Sequence, residues 1–301
     1  MEKRLQRSNV RPSTRIVRPS LTSVSSLIER YDSLFFDSYG VLVDGIDALP
    51  GAVDLVERMN AGDENYFVVT NDASVSIDSR VEWFRARGFE IPAERIVNSG
   101  SLIAGYYSQH RLQDRPTLVL GTPDARDYVA GAGGRLVEMD SATEPDVVVV
   151  AHNEPYDWKS TLEKLLDLLA RRYRQNNPIK LVLPNPDFLY PNGPGSFKYG
   201  AGAFVDLLEQ GLHRLHGPDE ALTVTRLGKP YLPIFKEAIR RAGTDNAVMI
   251  GDQLETDILG ANRAGIASAV VTTGISRRSR PGEFDGVADE LTPRHILTSL
   301  V

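Results

Sequence analysis

Two aspartates each follow an apolar run of this sequence, and their placement predicts a site that binds a metal ion or attacks an electrophile. Asp37 follows Leu34-Phe35-Phe36, and Asp252 follows Val248-Met249-Ile250-Gly251. Carboxylates at the C-terminal ends of parallel strands face the crevice in which open α/β sheets bind ligands. Acids that converge there form an oxygen-lined magnesium site, or a carboxylate nucleophile beside one.

Asp37 is the candidate nucleophile, because a carboxylate can attack phosphorus or electrophilic carbon and form a covalent intermediate. Gly40 suits a tight turn close to the ligand and is a candidate substrate contact. Asp257 falls in the first turn of the helix expected after Asp252, so both carboxylates are predicted to face one pocket. Helix capping is the alternative role for acids at a helix N-terminus.

Three further residues have side chains suited to holding a phosphoryl group. Thr70 and Asn71 end a second apolar run, where a hydroxyl and backbone amides can bind a phosphoryl oxygen. Lys229, in Leu227-Gly228-Lys229-Pro230, can neutralise the nucleophile and the transferred group. The alternative for Lys229 is an ordinary solvated lysine before a helix.

From residue 33 onward, short apolar runs alternate with amphipathic segments, which predicts βα units and a parallel sheet. Strands are predicted at 33–37, 65–70, 247–251 and 267–272, and helices at 51–60, 76–88, 231–242 and 255–264. A second set comprises strands at 117–120, 147–151 and 179–183 and helices at 123–132, 158–174 and 200–210. The Pro- and Gly-rich stretch 185–195 predicts a loop.

Composition excludes several classes of protein. The net charge of −6 argues against a nucleic-acid partner, which needs a basic surface. The absence of cysteine excludes disulfides and thiolate metal sites. No apolar run approaches the roughly 20 residues that span a membrane. A basic, Ser- and Pro-containing stretch at residues 1–25 predicts a mobile tail; a transit peptide or docking to an acidic partner is the alternative. We expect a cytoplasmic protein.

The ordered segments around Asp37, Thr70, Lys229 and Asp252 resemble the four motifs of the haloacid dehalogenase-like superfamily. The long stretch between the second and third motifs is similar to the NagD-like (class IIA) branch, in which a cap domain is inserted there. The resemblance implies an α/β fold: a Rossmann-like parallel-sheet core at 26–111 and 224–301, with an inserted α/β cap at 112–223.

The resemblance also implies a role for each residue in these motifs. Magnesium would be bound by Asp37, Asp252, Asp257 and the backbone carbonyl of Tyr39. Thr70, Asn71 and Lys229 would act with Asp37 on a small phosphorylated substrate. Cap loops at 152–158 and 187–192 would select that substrate, with Tyr156, Asp187 and Tyr190 as candidate contacts. Caps of this branch often mediate dimers, so a homodimer is expected.

Tyr39 departs from the pattern of the phosphatases in this superfamily. They carry Asp-x-Asp-Gly, whose second aspartate is the general acid and base, whereas this chain reads Asp37-Ser38-Tyr39-Gly40. A phenol, with an ordinary pKa of about 10, can donate a proton but is seldom ionised at neutral pH. Loss of a general acid–base group typically lowers the rate by ~10²–10⁴-fold.

Three functions stay open from the sequence. The leading hypothesis is a magnesium-dependent hydrolase of a small phosphomonoester through an aspartyl-phosphate on Asp37, slowed or diverted by Tyr39. The second is a metal-independent, carbon-centred hydrolase, because the 2-haloacid dehalogenases of the superfamily carry Asp-x-Tyr-Gly. The third is a phospho-ligand binding protein that has lost turnover.

Overall fold

A computed structural model of the protein describes residues 18–153, 156–192, 196–276 and 278–300. In chain order its strands are β1 (Ser20–Thr22), β2 (Ser33–Phe36), β3 (Tyr66–Thr70), β4 (Ile96–Asn98), β5 (Pro116–Leu120), β6 (Arg135–Val137), β7 (Val147–Val150), β8 (Lys180–Leu183), β9 (Leu189–Pro191), β10 (Phe197–Tyr199), β11 (Thr225–Arg226), β12 (Ala247–Gly251), β13 (Ala267–Val271) and β14 (His295–Leu297).

The α-helices are α1 (Val24–Ile28), α2 (Ala52–Ala61), α3 (Ile77–Arg85), α4 (Leu102–His110), α5 (Pro123–Gly131), α6 (Trp158–Arg174), α7 (Ala201–His216), α8 (Leu232–Ala242) and α9 (Leu259–Ala264). A π-helical turn, Leu254–Ile258, leads directly into α9. Within the described ranges, no helix combines the length and apolar character needed to cross a membrane.

The larger sheet has seven parallel strands in the order β1-β14-β13-β12-β2-β3-β4. Its interior strand β2, which lies between β12 and β3, is buried on both faces. Phe36 packs in the cluster that includes α2, whereas Phe35 packs on the opposite side with α8. Burying each phenylalanine contributes about 1.5–3 kcal/mol, and this two-sided packing fixes the register of β2.

The same register brings the predicted site together. Phe36 pairs with Ile250 of β12, and Phe36 also pairs with Val68 of β3. The C-terminal ends of these three neighbouring strands therefore lie side by side. The chain leaves β2 to one side for β3 and returns on the other side as β12, which is the kind of position where open α/β sheets bind ligands.

The second sheet has five parallel strands in the order β11-β8-β7-β5-β6. Helices α6 and α7 cover one face, and α4 and α5 cover the other. We propose the division predicted above, with 112–223 inserted between 26–111 and 224–301. The last strand of the second sheet, β11, lies just past that boundary.

Three local predictions need correction. The segment 185–195 is not a loop throughout, because β9 pairs antiparallel with β10. Residues 20–25 of the predicted tail are ordered elements of the fold, because β1 pairs with β14 and the Ser23 side chain caps α1. Residues 1–17 lie outside the described residues. The helix predicted at 255–264 divides into the π-helical turn and α9.

Candidate active site

Asp37 lies at the end of β2 and is only 6% exposed. Its Oδ1 accepts hydrogen bonds from the Ser38 backbone N–H and from Lys229 Nζ, each at 2.7 Å. Burial raises the pKa of this carboxyl group to about 7, against the opposing effect of Lys229. The side chain proposed as nucleophile is therefore fixed in place beside a cation.

Lys229 joins two of the acids and is not a solvated lysine. It is 2% exposed, and its Nζ donates to Oδ1 of both Asp37 and Asp257 at 2.7 Å. Burial lowers the pKa of Lys229, but the carboxylates of Asp257 and Asp37 outweigh burial and raise the pKa above its ordinary value. The ammonium group is charged at neutral pH.

Asp252 follows β12 and is completely buried. Its Oδ2 accepts a hydrogen bond from the Ile275 backbone N–H at 2.6 Å, whereas Oδ1 has no partner among the described residues. Burial, together with Asp257 and Asp37, raises its pKa well above the ordinary value. A buried carboxylate oxygen without a donor is costly unless a cation binds it.

Gly40 packs directly against this carboxylate. Its φ is +78°, a conformation that favours glycine, and a Cβ at this position would overlap the carboxylate of Asp252. The predicted tight turn is therefore required for close approach to Asp252.

Asp257 lies in the π-helical turn, a feature that is frequent at functional sites. It is completely buried, and its Oδ2 accepts a hydrogen bond from the Gln253 backbone N–H at 3.2 Å. Ligand oxygens of Asp37, Asp252 and Asp257 all lie within 4.8 Å of one another. These three buried acids form the acid cluster.

Asn71 links the first sheet to the loop after β8. Its Nδ2 donates to Asp187 Oδ1 at 2.8 Å and to the Lys229 carbonyl at 3.0 Å, and its Oδ1 accepts from the Lys229 N–H at 2.6 Å. Thr70, at the end of β3, is also buried. Burial raises the pKa of Asp187 to about 6, with Lys229 opposing.

Tyr39 faces a buried cation. Its hydroxyl accepts a hydrogen bond from Arg80 Nη1 at 3.4 Å, and its ring packs on Trp83 with centroids 6.0 Å apart. Arg80 is 3% exposed, forms an ion pair with Asp72 and lies over the Trp83 ring at 4.8 Å. Tyr39, which stands where the phosphatases have the second aspartate of the first motif, is therefore held by aromatic and cationic contacts.

Some of these residues line a cavity of about 120 Å³, whereas Lys229, Asp252 and Asp257 are not in its lining. The predicted residues in its lining are Asp37, Tyr39, Thr70, Asn71, Asp187 and Tyr190. The sequence interpretation did not assign a role to six other lining residues: Asp72, Ser74, His152, Asn153, Asn185 and Gln253. Each lies within three residues of a predicted residue, or within a predicted loop, and that proximity is the signal that could have found them.

Two predicted substrate contacts, Gly40 and Tyr156, are not in this lining. Gly40 packs against Asp252 instead, and Tyr156 lies in the segment before α6. Its hydroxyl donates to the His152 carbonyl at 2.6 Å, and its ring packs against Phe204 with centroids 5.5 Å apart. Burial raises its pKa above the ordinary value. These contacts fit a packing role for Tyr156 that supports the loop.

Comparison with known proteins agrees with the fold and the motifs. The family described as haloacid dehalogenase-like hydrolase matches residues 34–135, and the family described as HAD-hydrolase-like matches residues 226–301. Glycerol-3-phosphate phosphatase of Mus musculus is 28% identical over 284 residues, covering 87% of this chain and 85% of that protein.

Two solved structures extend the comparison. A possible sugar phosphatase from Cytophaga hutchinsonii is 26% identical, with a TM-score of 0.79 over 94% of this chain and 99% of the other. Glycerol phosphate phosphatase Rv1692 from Mycobacterium tuberculosis, crystallised in complex with magnesium, is 26% identical, with a TM-score of 0.74 over 91% of this chain and 77% of the other. The chain belongs to the haloacid dehalogenase-like superfamily of hydrolases, in its class IIA branch.

Proposed function

We propose that this protein is a magnesium-dependent hydrolase that releases phosphate from a small phosphomonoester through a covalent intermediate on Asp37. The observation that carries the proposal is the acid cluster in contact with Lys229. A buried nucleophile, a fixed cation and further acids are the parts that phosphoryl transfer needs, because its catalysis is largely positioning and charge stabilisation.

The acid cluster fits a magnesium ion. Three buried acids against one lysine leave an excess of two negative charges when the acids are ionised, and Oδ1 of Asp252 has no donor among the described groups. Magnesium prefers such hard oxygen ligands. Asp37, Asp252, Asp257 and the backbone carbonyl of Tyr39 would bind it. The bound ion would neutralise charge on the phosphoryl group. The magnesium complex of the Mycobacterium tuberculosis relative supports this assignment.

The residues of the chain then have separate roles. The free oxygen of the Asp37 carboxylate attacks phosphorus, while Lys229 holds the carboxylate in position and offsets the growing negative charge. The Thr70 hydroxyl and the backbone amide of Asn71, at the end of β3, hold phosphoryl oxygens. Asp187 and Tyr190 contact the rest of the substrate from the loop after β8.

The volume of the cavity supports a small substrate. Sites for drug-sized ligands occupy about 300–1,000 Å³, whereas this cavity measures about 120 Å³. A phosphoryl group with a short polar substituent fits that space better than a nucleotide. Relatives named as glycerol phosphate phosphatases make glycerol phosphates the first compounds to assay.

Tyr39 is the observation that favours the metal-independent, carbon-centred alternative. Asp252 weighs against it, because that chemistry gives no role to a buried carboxylate oxygen without a partner. A phospho-ligand binding protein without turnover would keep the cluster but release no phosphate. The three functions therefore differ in metal dependence and in turnover.

The test is phosphate release from a panel of phosphomonoesters, with magnesium and with a chelator. We expect release that needs magnesium and is abolished by Asp37→Asn, while Asp54→Asn, on the exposed side of α2, serves as the matched control. Release that survives both chelation and Asp37→Asn would refute the proposal. Dehalogenation of 2-haloacids in the presence of chelator would support the alternative instead.

The cytoplasmic location and the homodimer expected from the sequence stay predictions. Light scattering on the purified full chain tests the dimer directly.

A further inference from the structure

The proposed reaction needs a group that gives a proton to the leaving oxygen and then takes one from water. Tyr39 occupies the position where the family pattern places that group. Its hydroxyl faces Arg80, and a guanidinium group only donates hydrogen bonds. Among the described residues, no base is hydrogen-bonded to this phenol to accept its proton. A carboxyl group elsewhere in the cavity lining is therefore needed for the role.

Besides the nucleophile, the cavity lining contains two carboxyl groups, Asp72 and Asp187. Asp72 is already saturated with donors. Its Oδ1 accepts hydrogen bonds from the Ser74 N–H at 2.7 Å and the Ser74 hydroxyl at 2.6 Å, and its Oδ2 is paired with buried Arg80. Protonating Asp72 would leave a buried cation without its partner, which costs several kcal/mol. The Asp72 carboxylate is therefore occupied by its contacts with Ser74 and Arg80.

Asp187 has different surroundings. Its Oδ1 accepts one hydrogen bond from a neutral amide, Asn71 Nδ2, and Oδ2 has no hydrogen-bond partner among the described residues. Asn71 is itself fixed on both sides by the backbone of Lys229, whose Nζ contacts Asp37. Asp187 is thus held in place beside the nucleophile without being paired to a cation.

We propose that Asp187 carries the protons of the reaction in this protein, in the role that the second aspartate of the first motif has in its relatives. This inference rests on the proposed function. When Asp37 attacks, the bond from phosphorus to the leaving oxygen breaks, and the carboxyl group of Asp187 protonates that oxygen, so that an alcohol departs. The Asp187 carboxylate then takes a proton from water, the resulting hydroxide attacks phosphorus, and the bond to Asp37 breaks to release inorganic phosphate.

The electrostatics of the loop agree with that role. Burial raises the pKa of Asp187 to about 6, Lys229 opposes the shift, and Asp257 adds to it. A pKa close to the working pH lets a group both donate and accept protons effectively. The charged groups around Asp187 are Lys229, Asp257 and Asp37.

The test compares two leaving groups. p-Nitrophenolate departs readily without a proton, whereas the alkoxide of glycerol phosphate does not. We expect Asp187→Asn to lower kcat/KM for glycerol phosphate by ~10²–10⁴-fold, with a much smaller loss for p-nitrophenyl phosphate. Hydrolysis of the intermediate should slow for both compounds. Rapid mixing with p-nitrophenyl phosphate should therefore show a burst of one product per site in this variant.

A purely structural role for Asp187 predicts a different result. Loss of the hydrogen bond between Asn71 and Asp187 would then lower kcat/KM equally for both compounds and give no burst. That outcome would overturn the proposal. Asp124→Asn is the matched control, because Asp124 accepts a hydrogen bond from the Ser76 N–H at 2.7 Å and does not line the cavity. We expect Asp124→Asn to change kcat/KM for glycerol phosphate and for p-nitrophenyl phosphate by the same factor. Thermal unfolding of each variant checks that it is folded.

Two further variants complete the test. Tyr39→Asp should restore part of the glycerol phosphate activity lost in Asp187→Asn, because it returns a carboxyl group to the first motif. If His152→Gln, and not Asp187→Asn, lowers kcat/KM for glycerol phosphate far more than for p-nitrophenyl phosphate, His152 is the proton donor and acceptor. That result would overturn the proposal. If the unmodified protein releases no phosphate from either compound, the proposed function has failed and not this inference alone.

Discussion

Magnesium should stabilise this protein through the acid cluster, and Asp252→Asn should remove that effect. Oδ1 of Asp252 is buried without a partner, and its neighbours Asp37 and Asp257 are acids that share one lysine. Burial, Asp257 and Asp37 raise the pKa of the Asp252 carboxyl group, so they favour its protonated form relative to an exposed aspartate when no cation is bound. A magnesium ion would replace that proton, so binding should release protons and tighten as the pH rises toward neutrality.

The size of the effect follows from mass action. A ligand at one hundred times its Kd stabilises the folded state by about 2.7 kcal/mol. For a domain of 150–250 residues, each kcal/mol shifts Tm by about 2–4 °C. We therefore expect a rise in Tm of about 5–10 °C when saturating magnesium is added to chelator-treated protein. Asp252→Asn should raise the Tm of the metal-free protein, because it removes a buried acid, and should abolish the magnesium shift.

Thermal unfolding followed by circular dichroism measures both changes, and titration calorimetry in two buffers of different ionisation enthalpy measures the released protons. Asp54→Asn should behave as the unmodified protein does. An equal magnesium shift in the unmodified protein and in Asp252→Asn would refute the assignment of the ion to this cluster. If sodium at the same ionic strength raises Tm as much as magnesium does, magnesium does not bind specifically.

Three further predictions concern single residues. Lys229→Met should destabilise the metal-free protein by about 3–5 kcal/mol in urea unfolding, because it leaves a buried ion-pair network without its cation; stability unchanged in urea would contradict this. Burial lowers the pKa of His295, which is hydrogen-bonded to Tyr31, to about 4, so the neutral ring favours the folded state. As the pH falls from 6.5 to 4, the unfolded state binds a proton on this ring before the folded state does. The free energy of unfolding should therefore fall by about 3 kcal/mol more in the unmodified protein than in His295→Gln over this range. Parallel pH profiles for the two proteins would count against this prediction. Gly40→Ala should abolish phosphate release and the magnesium-induced rise in Tm, because its Cβ would displace Asp252; a normal magnesium shift in this variant would show that the turn tolerates a side chain.

The central strands and the residues at their ends could be predicted from sequence because one physical rule covers both. A run such as Leu34-Phe35-Phe36 is apolar on both faces only when helices cover both sides of a parallel sheet. A polar residue directly after such a run must then lie at the crevice, which applies to Asp37, Thr70 and Asp252 alike.

Other features depend on contacts that no local pattern contains. Strands β1 and β14 have three residues each, too few for a periodic signal, and form because they pair across almost the whole chain. The residue types of the π-helical turn that places Asp257, Leu254–Ile258, do not distinguish it from an α-helical turn. Burial of Arg80 beneath Tyr39 requires Asp72 and Trp83 to meet from separate segments.

The surroundings of Tyr39 explain how the first motif can lose an acid without losing its shape. Trp83 packs on the ring, and buried Arg80, which donates to the Tyr39 hydroxyl, forms its ion pair with Asp72. The turn is therefore supported by packing on Trp83 and by the contact of Tyr39 with the ion-paired Arg80. If the protons move through Asp187, the acid–base group lies on the loop after β8 and not on the turn after β2. Chemistry would then require that loop to be docked on Asn71, so proton transfer would depend on the hydrogen bond between Asn71 and Asp187.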